Sequence, residues 1–369
     1  MSVAVLGSSL KENENRVSIH PLHVPTINPD VLNELVFEKG YGVPFGYSDD
    51  YFETYTGHPC QSRQDLLANH DHIILAKPTP DDIRQMPDHS ILWGWVHAVQ
   101  QTEIAQLGIE KQMTFVAWEN MFYRNYRGTV HVFQTNNEMA GYCSVLDALQ
   151  GQGIDGYFGA PKKIKVFSFG SVSRGAVHAL ISHGYHDIEV YSWRASHLVN
   201  DRIHSIVYSQ IYFDEHHVLR IKKEGQPTLL DELTKADIIV NGILQNPTKP
   251  VMFFEADAIS AFKKPCLIID VSCDEGMAFP FAKATTFSEP TFDVGKIRYY
   301  GVDHSPSLLW NSASYQISQC LIPYLYQFTF DNYGEILENS IDLNQGRVKN
   351  EQILSFQHRT STYPYQLQK

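Results

Sequence analysis

Short apolar runs alternate with amphipathic stretches along most of the chain. Runs of this length, bounded by polar or turn-forming residues, predict buried strands, and the stretches between them predict connecting helices. Strands that alternate with helices are typical of an α/β protein with mainly parallel sheets. Strands are predicted over residues 3–7, 71–76, 90–95, 114–118, 188–192, 236–243, 266–272 and 298–302.

Helical spacing of apolar residues predicts three longer helices, over 28–39, 136–149 and 313–328. The first of these is expected to end at Gly40. The tail from about residue 331 is polar and poorly periodic. It predicts one helix at most and a partly extended path along the surface.

One stretch, residues 165–180, has the strand, tight turn and helix start of a dinucleotide-binding βαβ unit. Only the middle position of its three-glycine register is still glycine, and serine stands at the other two. Backbone N–H groups of such a turn, together with the helix N-terminus, attract a pyrophosphate. An ordinary βαβ turn is the alternative, and Gly175 is expected to keep the helix slim against the strand. The predicted cofactor contacts in the turn are Ser168, Gly170, Ser171, Val172 and Ser173.

The end of the second strand predicts which nicotinamide cofactor binds. A protein that prefers NAD usually places Asp or Glu there, whereas this chain has Ser192 followed two residues later by Arg194. A hydroxyl and a guanidinium suit a 2′-phosphate, so we predict NADPH over NADH; Arg194 as a solvated loop residue is the alternative. Asn241 lies at the height of the cofactor ribose, or else forms a strand-end turn.

Composition bounds the class of protein. The 369 residues suffice for two domains, and 43% hydrophobic with 19% charged residues is ordinary globular composition. The net charge of −12 argues against a nucleic-acid or anionic-membrane partner. No apolar run approaches the roughly 20 residues that span a bilayer, and the N-terminus lacks a basic region. The five scattered cysteines, without a CxxC pair, favour a reducing cytoplasm and no metal site.

Four polar or charged residues are predicted where loops leave the strands of the first half: Arg16, Lys77, His97 and Glu119. In parallel sheets ligands collect outside the carboxyl ends of the strands, so these side chains are candidates for one site. Taken singly, each has an ordinary reading, because Lys77 and Glu119 could be surface charges and His97 a core histidine. Because all four share a position at strand ends, one common site is a better interpretation than four unrelated residues.

The chain resembles the superfamily of alanine dehydrogenase and lysine-forming saccharopine dehydrogenase over roughly residues 3–328. Within it, the resemblance is greatest to the N5-(carboxyethyl)ornithine synthases, which reductively join pyruvate to the side-chain amine of ornithine or lysine with NADPH. The residues that carry the resemblance lie at 14–17, 77–78, 94–101, 118–120, 138–141, 170–176, 270–276 and 303–309.

The resemblance implies an α/β fold of two Rossmann-like domains, with parallel sheets separated by an interdomain cleft. A substrate domain would comprise residues 1–137, completed by 305–369, and a dinucleotide-binding domain would comprise residues 138–304. The small-molecule substrates would be an α-keto acid and an amino acid. Related folds leave a monomer and a homodimer open.

Reductive amination needs a cation for the keto acid carboxylate and a group that titrates near pH 7. We expect Arg16 to bind the carboxylate, Lys77 and His97 to act as the acid–base pair, and Glu119 to orient or tune one of them. The resemblance is divided here, because alanine dehydrogenases pair the histidine with an aspartate that matches Asp274. Asp274 and His304 are placed near the nicotinamide or the amine, and Asp303 near the cofactor.

Three other functions remain open at this stage. The chain could be an alanine dehydrogenase that uses ammonia, a saccharopine dehydrogenase that uses 2-oxoglutarate, or a non-catalytic nucleotide-binding homologue. The Asp303-His304 loop and the absence of an acidic residue at 192 count against the first. The joint presence of the four strand-end residues counts against the last.

Overall fold

A computed structural model describes residues 2–126, 128–243, 245 and 250–368. The chain divides into two compact units: unit 1 is Met1–Gln134 with Leu309–Lys369, and unit 2 is Thr135–Leu308. Both units are α/β. Within the described residues, no helix combines the length and the apolar character that crossing a bilayer requires.

The strands are numbered along the chain. They are β1 Val3–Val5, β2 Leu35–Phe37, β3 His72–Ile74, β4 Ile91–Gly94, β5 Thr114–Ala117, β6 Phe122–Asn125, β7 Gly128–His131, β8 Ile164–Phe167, β9 Ile188–Ser192, β10 Val207–Phe213, β11 Leu219–Ile221, β12 Ile238–Asn241, β13 Cys266–Asp270, β14 Thr291–Val294, β15 Ile297–Tyr300, β16 Ile341–Asn344 and β17 Arg347–Val348.

The α-helices follow the same numbering, and short 3₁₀ turns connect several elements. The helices are α1 Pro29–Leu32, α2 Asp49–Thr56, α3 Arg63–Asn69, α4 Pro80–Gln85, α5 Thr102–Glu110, α6 Gln134–Gln152, α7 Ser171–Ser182, α8 Leu229–Leu233, α9 Trp310–Thr329, α10 Glu335–Asn339 and α11 Gln352–Phe356.

Unit 1 is built on a seven-stranded sheet in the order β17-β16-β5-β4-β3-β1-β2. Strands β1 to β5 of this sheet run parallel to one another. The parallel strands are apolar at successive positions because helices cover both faces of such a sheet. Trp93 of β4 is buried in one core cluster, and its neighbour Leu92 is buried in the other. The strand order reverses between β1 and β3, which is where doubly wound sheets bind ligands.

The predicted helix over residues 28–39 is wrong. Only α1 is helical, and β2 then pairs in parallel with β1, Val3 opposite Leu35. Leu35, Val36 and Phe37 are all buried. A helix turns each successive residue by about 100°, so three consecutive buried residues fit a strand covered on both faces better.

The tail from residue 331 does not extend along the surface as expected. Strand β16 pairs antiparallel with β5, and helices α10 and α11 flank the β16–β17 hairpin. Leu343 and Ile353 are fully buried in a core cluster of unit 1. The tail is polar in composition because a short strand near a sheet edge needs only a few apolar anchors.

Unit 2 has an eight-stranded sheet in the order β11-β10-β9-β8-β12-β13-β15-β14. Strands β8, β9, β10, β12, β13 and β15 are parallel. Counted within the unit, their order is 3-2-1-4-5-6, which is the dinucleotide-binding arrangement. The order reverses between β8 and β12, so the predicted turn at 168–173 and Asn241 both lie at the reversal.

Candidate active site

Three of the predicted residues leave adjacent strands at the carboxyl edge of the unit 1 sheet. Lys77 follows β3, His97 follows β4 and Glu119 follows β5. Past the strand ends, the Trp95 N–H still donates to the Ala76 carbonyl at 3.1 Å, so the loops that carry Lys77 and His97 begin side by side. Lys77 is buried and acts electrostatically on Glu119.

His97 begins a tight turn whose conformation Glu119 supports. The backbone of His97 is left-handed, with φ of +47°, and its N–H donates to Glu119 Oε1 at 2.5 Å. The His97 carbonyl accepts the N–H of Gln101, the residue before helix α5. The described contact between Glu119 and His97 therefore uses the backbone of His97, and the half-buried imidazole projects from a braced turn.

Glu119 lies in surroundings that favour its neutral form. Burial, and next the negative charge of Asp342, raise the pKa of Glu119 to about 8, while the His97 N–H and Lys77 oppose this shift. Glu119 Oε2 is buried and has no hydrogen-bond partner among the described residues. A carboxyl with such a pKa carries its proton at neutral pH.

Arg16 lies at the same edge, held by one acid and one aromatic ring. Its Nε and Nη2 donate to the two carboxylate oxygens of Glu14, at 2.7 and 2.5 Å. Its guanidinium carbon is 5.1 Å from the centre of the Trp95 ring. Because a guanidinium has five N–H donors, the pair with Glu14 leaves donors for a substrate carboxylate.

In unit 2, the turn after β8 uses its two serines structurally. Ser168 adopts a left-handed backbone with φ of +71°, where glycine is favoured, and its Oγ accepts the N–H of Gly170 at 3.3 Å. Ser173 donates its hydroxyl to the Phe167 carbonyl at 2.6 Å and so ties helix α7 to strand β8. The two serines that replace glycines thus maintain the turn.

Gly170 precedes α7 and leaves space in front of that helix. Its backbone is ordinary, and a Cβ built there would meet only Ser168 Oγ, at 3.7 Å. Neither conformation nor protein packing therefore requires glycine at this position. The N–H groups of Ser171, Val172 and Ser173 begin the helix and have no intrahelical acceptor. Open space before such donors fits a phosphate group.

Gly175 has a different role from the expected one. A Cβ on Gly175 would lie 1.8 Å from the Glu138 carbonyl oxygen, and a Cβ on Gly141 would lie 1.8 Å from that of Val172. The two glycines therefore let helices α6 and α7 approach each other closely. The expectation that Gly175 thins the helix against the strand was wrong.

The predicted 2′-phosphate residues lie at the end of β9. Ser192 is its last residue, and its Oγ accepts the Arg194 N–H at 3.1 Å. The Arg194 side chain is exposed and forms no hydrogen bond or ion pair within the part of the chain that the structure describes. Its pairing with a phosphate remains a prediction.

Asn241 ends β12 and is buried. Its Nδ2 donates to Asp270 Oδ1 at 2.9 Å. Asp270 also accepts the Cys273 N–H and the Tyr299 hydroxyl, each at 3.0 Å, and burial raises its pKa to about 6. In this structure the Asn241 amide therefore binds the Asp270 carboxyl. Its contact with a ribose stays a prediction.

Asp274 and His304 differ in how they are held. Asp274 follows Cys273, whose φ is +42°, and burial raises the pKa of the half-buried Asp274 carboxyl to about 6. His304 is almost fully buried, and its Nδ1 lies 2.8 Å from Asp303 Oδ1. In this arrangement Asp303 fixes the His304 imidazole, and the predicted roles of all three residues stay predictions.

Sequence reasoning missed several residues that hold the site. Glu14 and Asp270 lie inside the motifs that carry the resemblance, so the signal was present. Asp342 lies in the tail and belongs to no motif. Its place between Ile341 and Leu343 is the alternation of a half-buried strand, which was the available signal.

A strand order of 3-2-1-4-5-6, with a short turn and a helix N-terminus at its reversal, is typical of dinucleotide-binding domains, which occur in nicotinamide-dependent oxidoreductases. The model "Alanine dehydrogenase/PNT, N-terminal domain" matches residues 8–140, and "Alanine dehydrogenase/PNT, C-terminal domain" matches residues 186–354. The chain belongs to the alanine dehydrogenase/PNT family, whose members are NAD(P)-dependent oxidoreductases.

Several relatives cover nearly the whole chain. N(5)-(carboxyethyl)ornithine synthase of Clostridium botulinum is 28% identical over 339 residues, which is 88% of this chain and 94% of that protein. Alanine dehydrogenase 1 of Staphylococcus aureus is 24% identical over 377 residues, 96% of each. These matches confirm the predicted family.

Solved structures agree on the fold. An L-alanine dehydrogenase superposes with a TM-score of 0.72 at 17% identity, over 96% of this chain and 99% of that one. A transhydrogenase from Sinorhizobium meliloti superposes with a TM-score of 0.69 at 17% identity, over 94% of this chain and 100% of that one. They confirm the predicted α/β class with two Rossmann-like domains.

Proposed function

We propose that the protein is an NADPH-dependent enzyme that condenses an α-keto acid, pyruvate in preference, with the amine of an amino acid such as ornithine or lysine. Unit 1 would bind and activate the substrates, and unit 2 would bind the cofactor. The observation that carries the proposal is the grouping of Arg16, Lys77, His97 and Glu119 at one sheet edge. The Arg16 guanidinium lies over the Trp95 ring in the loop after β4. Lys77 acts electrostatically on Glu119, and Glu119 accepts the His97 N–H.

The residues of unit 2 fit a nicotinamide dinucleotide. The space before Gly170 and the N-terminus of α7 would receive the pyrophosphate. Ser192 and Arg194 would contact the 2′-phosphate, so NADPH is preferred over NADH. When bound, the cofactor supplies the hydride that reduces the imine carbon.

The residues of unit 1 would perform the remaining steps. Arg16 would hold the keto acid carboxylate through the N–H donors that Glu14 does not use. The amine attacks the ketone carbon while neutral, and a proton must reach the departing water. His97 and Lys77 would move these protons, and Glu119 would brace the His97 turn.

Two observations bear on which amine is used. The Clostridium botulinum relative is named for a carboxyethylornithine product, which supports an amino acid amine. The Staphylococcus aureus relative is named an alanine dehydrogenase and covers slightly more of the chain, which keeps ammonia as the second candidate. Asp274 lies in unit 2, and its carboxyl, which ionises above about pH 6, is a candidate for a contact with the nicotinamide.

A substrate matrix tests the proposal. NADPH and NADH oxidation should be followed with pyruvate, 2-oxoglutarate and other keto acids against ammonia, ornithine, lysine and further amino acids. We expect NADPH oxidation with pyruvate and a diamino acid, and mass spectrometry should show one secondary amine that contains both substrates. Turnover with ammonia alone would assign an alanine dehydrogenase, turnover with 2-oxoglutarate alone a saccharopine dehydrogenase, and no turnover would contradict an enzyme of this class.

A further inference from the structure

Two exposed aromatic rings stack on each other at the carboxyl edge of the unit 2 sheet. Trp193 directly follows β9, and Phe213 is the last residue of β10, the parallel neighbour of β9. The ring centres lie 5.6 Å apart with their planes 25° from parallel, which is an offset stack. Trp193 is 40% exposed and Phe213 is 46% exposed. Single exposed rings are ordinary, whereas an ordered exposed pair indicates a surface that contacts another molecule.

Hydrogen bonds at both strand ends hold the pair in place. Gln210, which lies opposite Ser192 in the register of β9 and β10, donates its side-chain amide to the Trp193 carbonyl at 3.1 Å. Asp214, the residue after Phe213, accepts two backbone N–H groups of the β10–β11 turn through Oδ1, each at 2.9 Å. Both rings are therefore carried by braced segments, so little ordering is needed before a ligand binds.

The pair occupies the part of the sheet that receives the adenosine half of a dinucleotide. In the order 3-2-1-4-5-6, the group that contacts the adenosine ribose follows the second strand, which here is β9. Ser192 and Arg194 are predicted to contact the 2′-phosphate of that ribose, and Trp193 lies between them in the chain. The 2′-phosphate and the adenine are attached to adjacent carbons of the ribose. A phosphate bound by residues 192 and 194 would therefore bring the base close to Trp193.

An aromatic surface is the contact that the predicted cofactor site otherwise lacks. The space before Gly170 suits the pyrophosphate, and Asn241 and Ser192 suit ribose or phosphate oxygens. None of the residues predicted to contact the cofactor has an aromatic ring. Adenine is a flat ring whose faces bind best to other flat rings, so the exposed stack of Trp193 and Phe213 complements it.

We propose that Trp193 and Phe213 form an aromatic platform for the adenine of the cofactor, with the Trp193 indole as the ring that the base contacts. Phe213 packs beneath the indole and fixes its plane. The inference rests on the part of the proposed function that concerns the cofactor, and it is independent of the keto acid and the amine. Arg194 would distinguish NADPH from NADH, whereas the platform would bind both equally, because both contain adenine.

Calorimetric titration of Trp193→Ala tests the platform without turnover. The ligands are NADPH, NADH and adenosine 2′,5′-bisphosphate, which is the adenosine half of NADPH without the nicotinamide. Loss of the stacked base should raise all three Kd values by about 10- to 100-fold. The equal effect on NADPH and NADH separates this variant from Arg194→Ala, which should weaken NADPH selectively.

Further variants separate stacking from a general disturbance of the loop. Trp193→Phe keeps a ring on which a base can stack, so its Kd values should stay within about threefold of the wild type. Phe213→Leu removes the ring beneath the indole and should raise the Kd values by about two- to tenfold. The matched control is Phe158→Ala, an exposed aromatic before the amino end of β8, which should bind all three ligands as the wild type does.

Tryptophan fluorescence reports the contact itself. A purine that stacks on an indole quenches its emission, so adenosine 2′,5′-bisphosphate should lower the emission of the wild type. Trp193→Phe should bind the same ligand, as measured by calorimetry, with little change in emission. Trp310→Phe, at a half-buried tryptophan of unit 1, should keep the quenching of the wild type. A residue that only supports the loop would not produce this signal.

Each outcome decides one question. Unchanged Kd values in Trp193→Ala, or quenching that persists in Trp193→Phe, would overturn the platform. Unchanged Kd values together with an altered molar mass by light scattering would assign the rings to an interface between copies of the chain. If no substrate pair turns over but NADPH and NADH are weakened equally, the proposed reaction fails and the platform stands. A wild type that binds none of the three ligands would contradict both.

Discussion

The two sheets end in different kinds of chemistry. At the carboxyl edge of unit 1, charged side chains lie buried against one another, as in the pair Arg16 and Glu14. At the corresponding edge of unit 2, the space before Gly170 is open, and the hydroxyl of Ser168 is the one atom that a Cβ there would meet. Acid–base work requires groups whose pKa the protein has shifted, whereas phosphate binding requires backbone N–H groups and room.

Two buried acids sharpen the comparison. Asp270 in unit 2 accepts hydrogen bonds from three donors, so its carboxyl is satisfied within its own network. Asp342 in unit 1 accepts two amides on one oxygen and leaves the other without a partner among the described residues. The Asp270 carboxyl therefore fixes the loop that begins at Cys273, whereas Asp342 holds the amides of Asn120 and Asn350 through one oxygen only.

The largest expected effect is on turnover through His97. His97→Ala should lower kcat by about 100- to 1,000-fold, because positioned acid–base groups contribute on that scale. Cofactor affinity should remain, since the predicted cofactor contacts lie in unit 2. His178→Ala, an exposed change on α7, is the matched control. Near-normal kcat in His97→Ala would remove the residue from the mechanism.

The next effect concerns Arg16 and the keto acid. Arg16→Met should raise the KM for the keto acid by about 100-fold, because charge-assisted hydrogen bonds contribute about 1.5–3 kcal/mol. The KM for the amine should change much less. The loss also takes a partner from buried Glu14, so Arg16→Met should be compared with Arg16→Met/Glu14→Gln and with Glu14→Gln alone. Equal increases in both KM values would contradict carboxylate binding.

A smaller effect tests the cofactor end of unit 2. Arg194→Ala should weaken NADPH binding by roughly 30-fold, as expected for the loss of a charge-assisted pair of about 2 kcal/mol. NADH lacks the 2′-phosphate, so its Kd in the same variant is the internal control. Arg194→Lys keeps the charge without the planar fork, so its Kd for NADPH should lie between those of the wild type and Arg194→Ala. Equal weakening of both cofactors would show that Arg194 does not recognise the phosphate.

The sequence predicted most of the parallel strands, though not β2 and β10, because each is a short and mainly apolar run. Strand β9 matches its predicted bounds, and β3, β4, β5, β12, β13 and β15 lie inside or within one residue of theirs. It failed at residues 28–39, where local helical spacing competed with pairing to β1. That pairing is a tertiary contact, which a local pattern does not contain.

The candidate site was predictable to the level of motifs. Strand-end residues such as Lys77 and His97 could be found because parallel strands place their carboxyl ends together. Their surroundings could not, since Asp342, which accepts the amide of Asn120 next to Glu119, lies on a strand more than 200 positions later in the chain. The role of Gly175 was also hidden, because it depends on how α6 packs on α7.

The central claim, that cofactor binding belongs to unit 2 and acid–base chemistry to unit 1, is tested most directly by NADPH binding isotherms. Gly170→Ala adds a Cβ that meets only Ser168 Oγ, so folding should be normal while the Kd for NADPH rises about tenfold, or about 1.4 kcal/mol. Gly151→Ala, at an open position in α6, should bind NADPH as the wild type does, and His97→Ala should do the same. Weakened binding in His97→Ala, or unchanged binding in Gly170→Ala, would contradict this division.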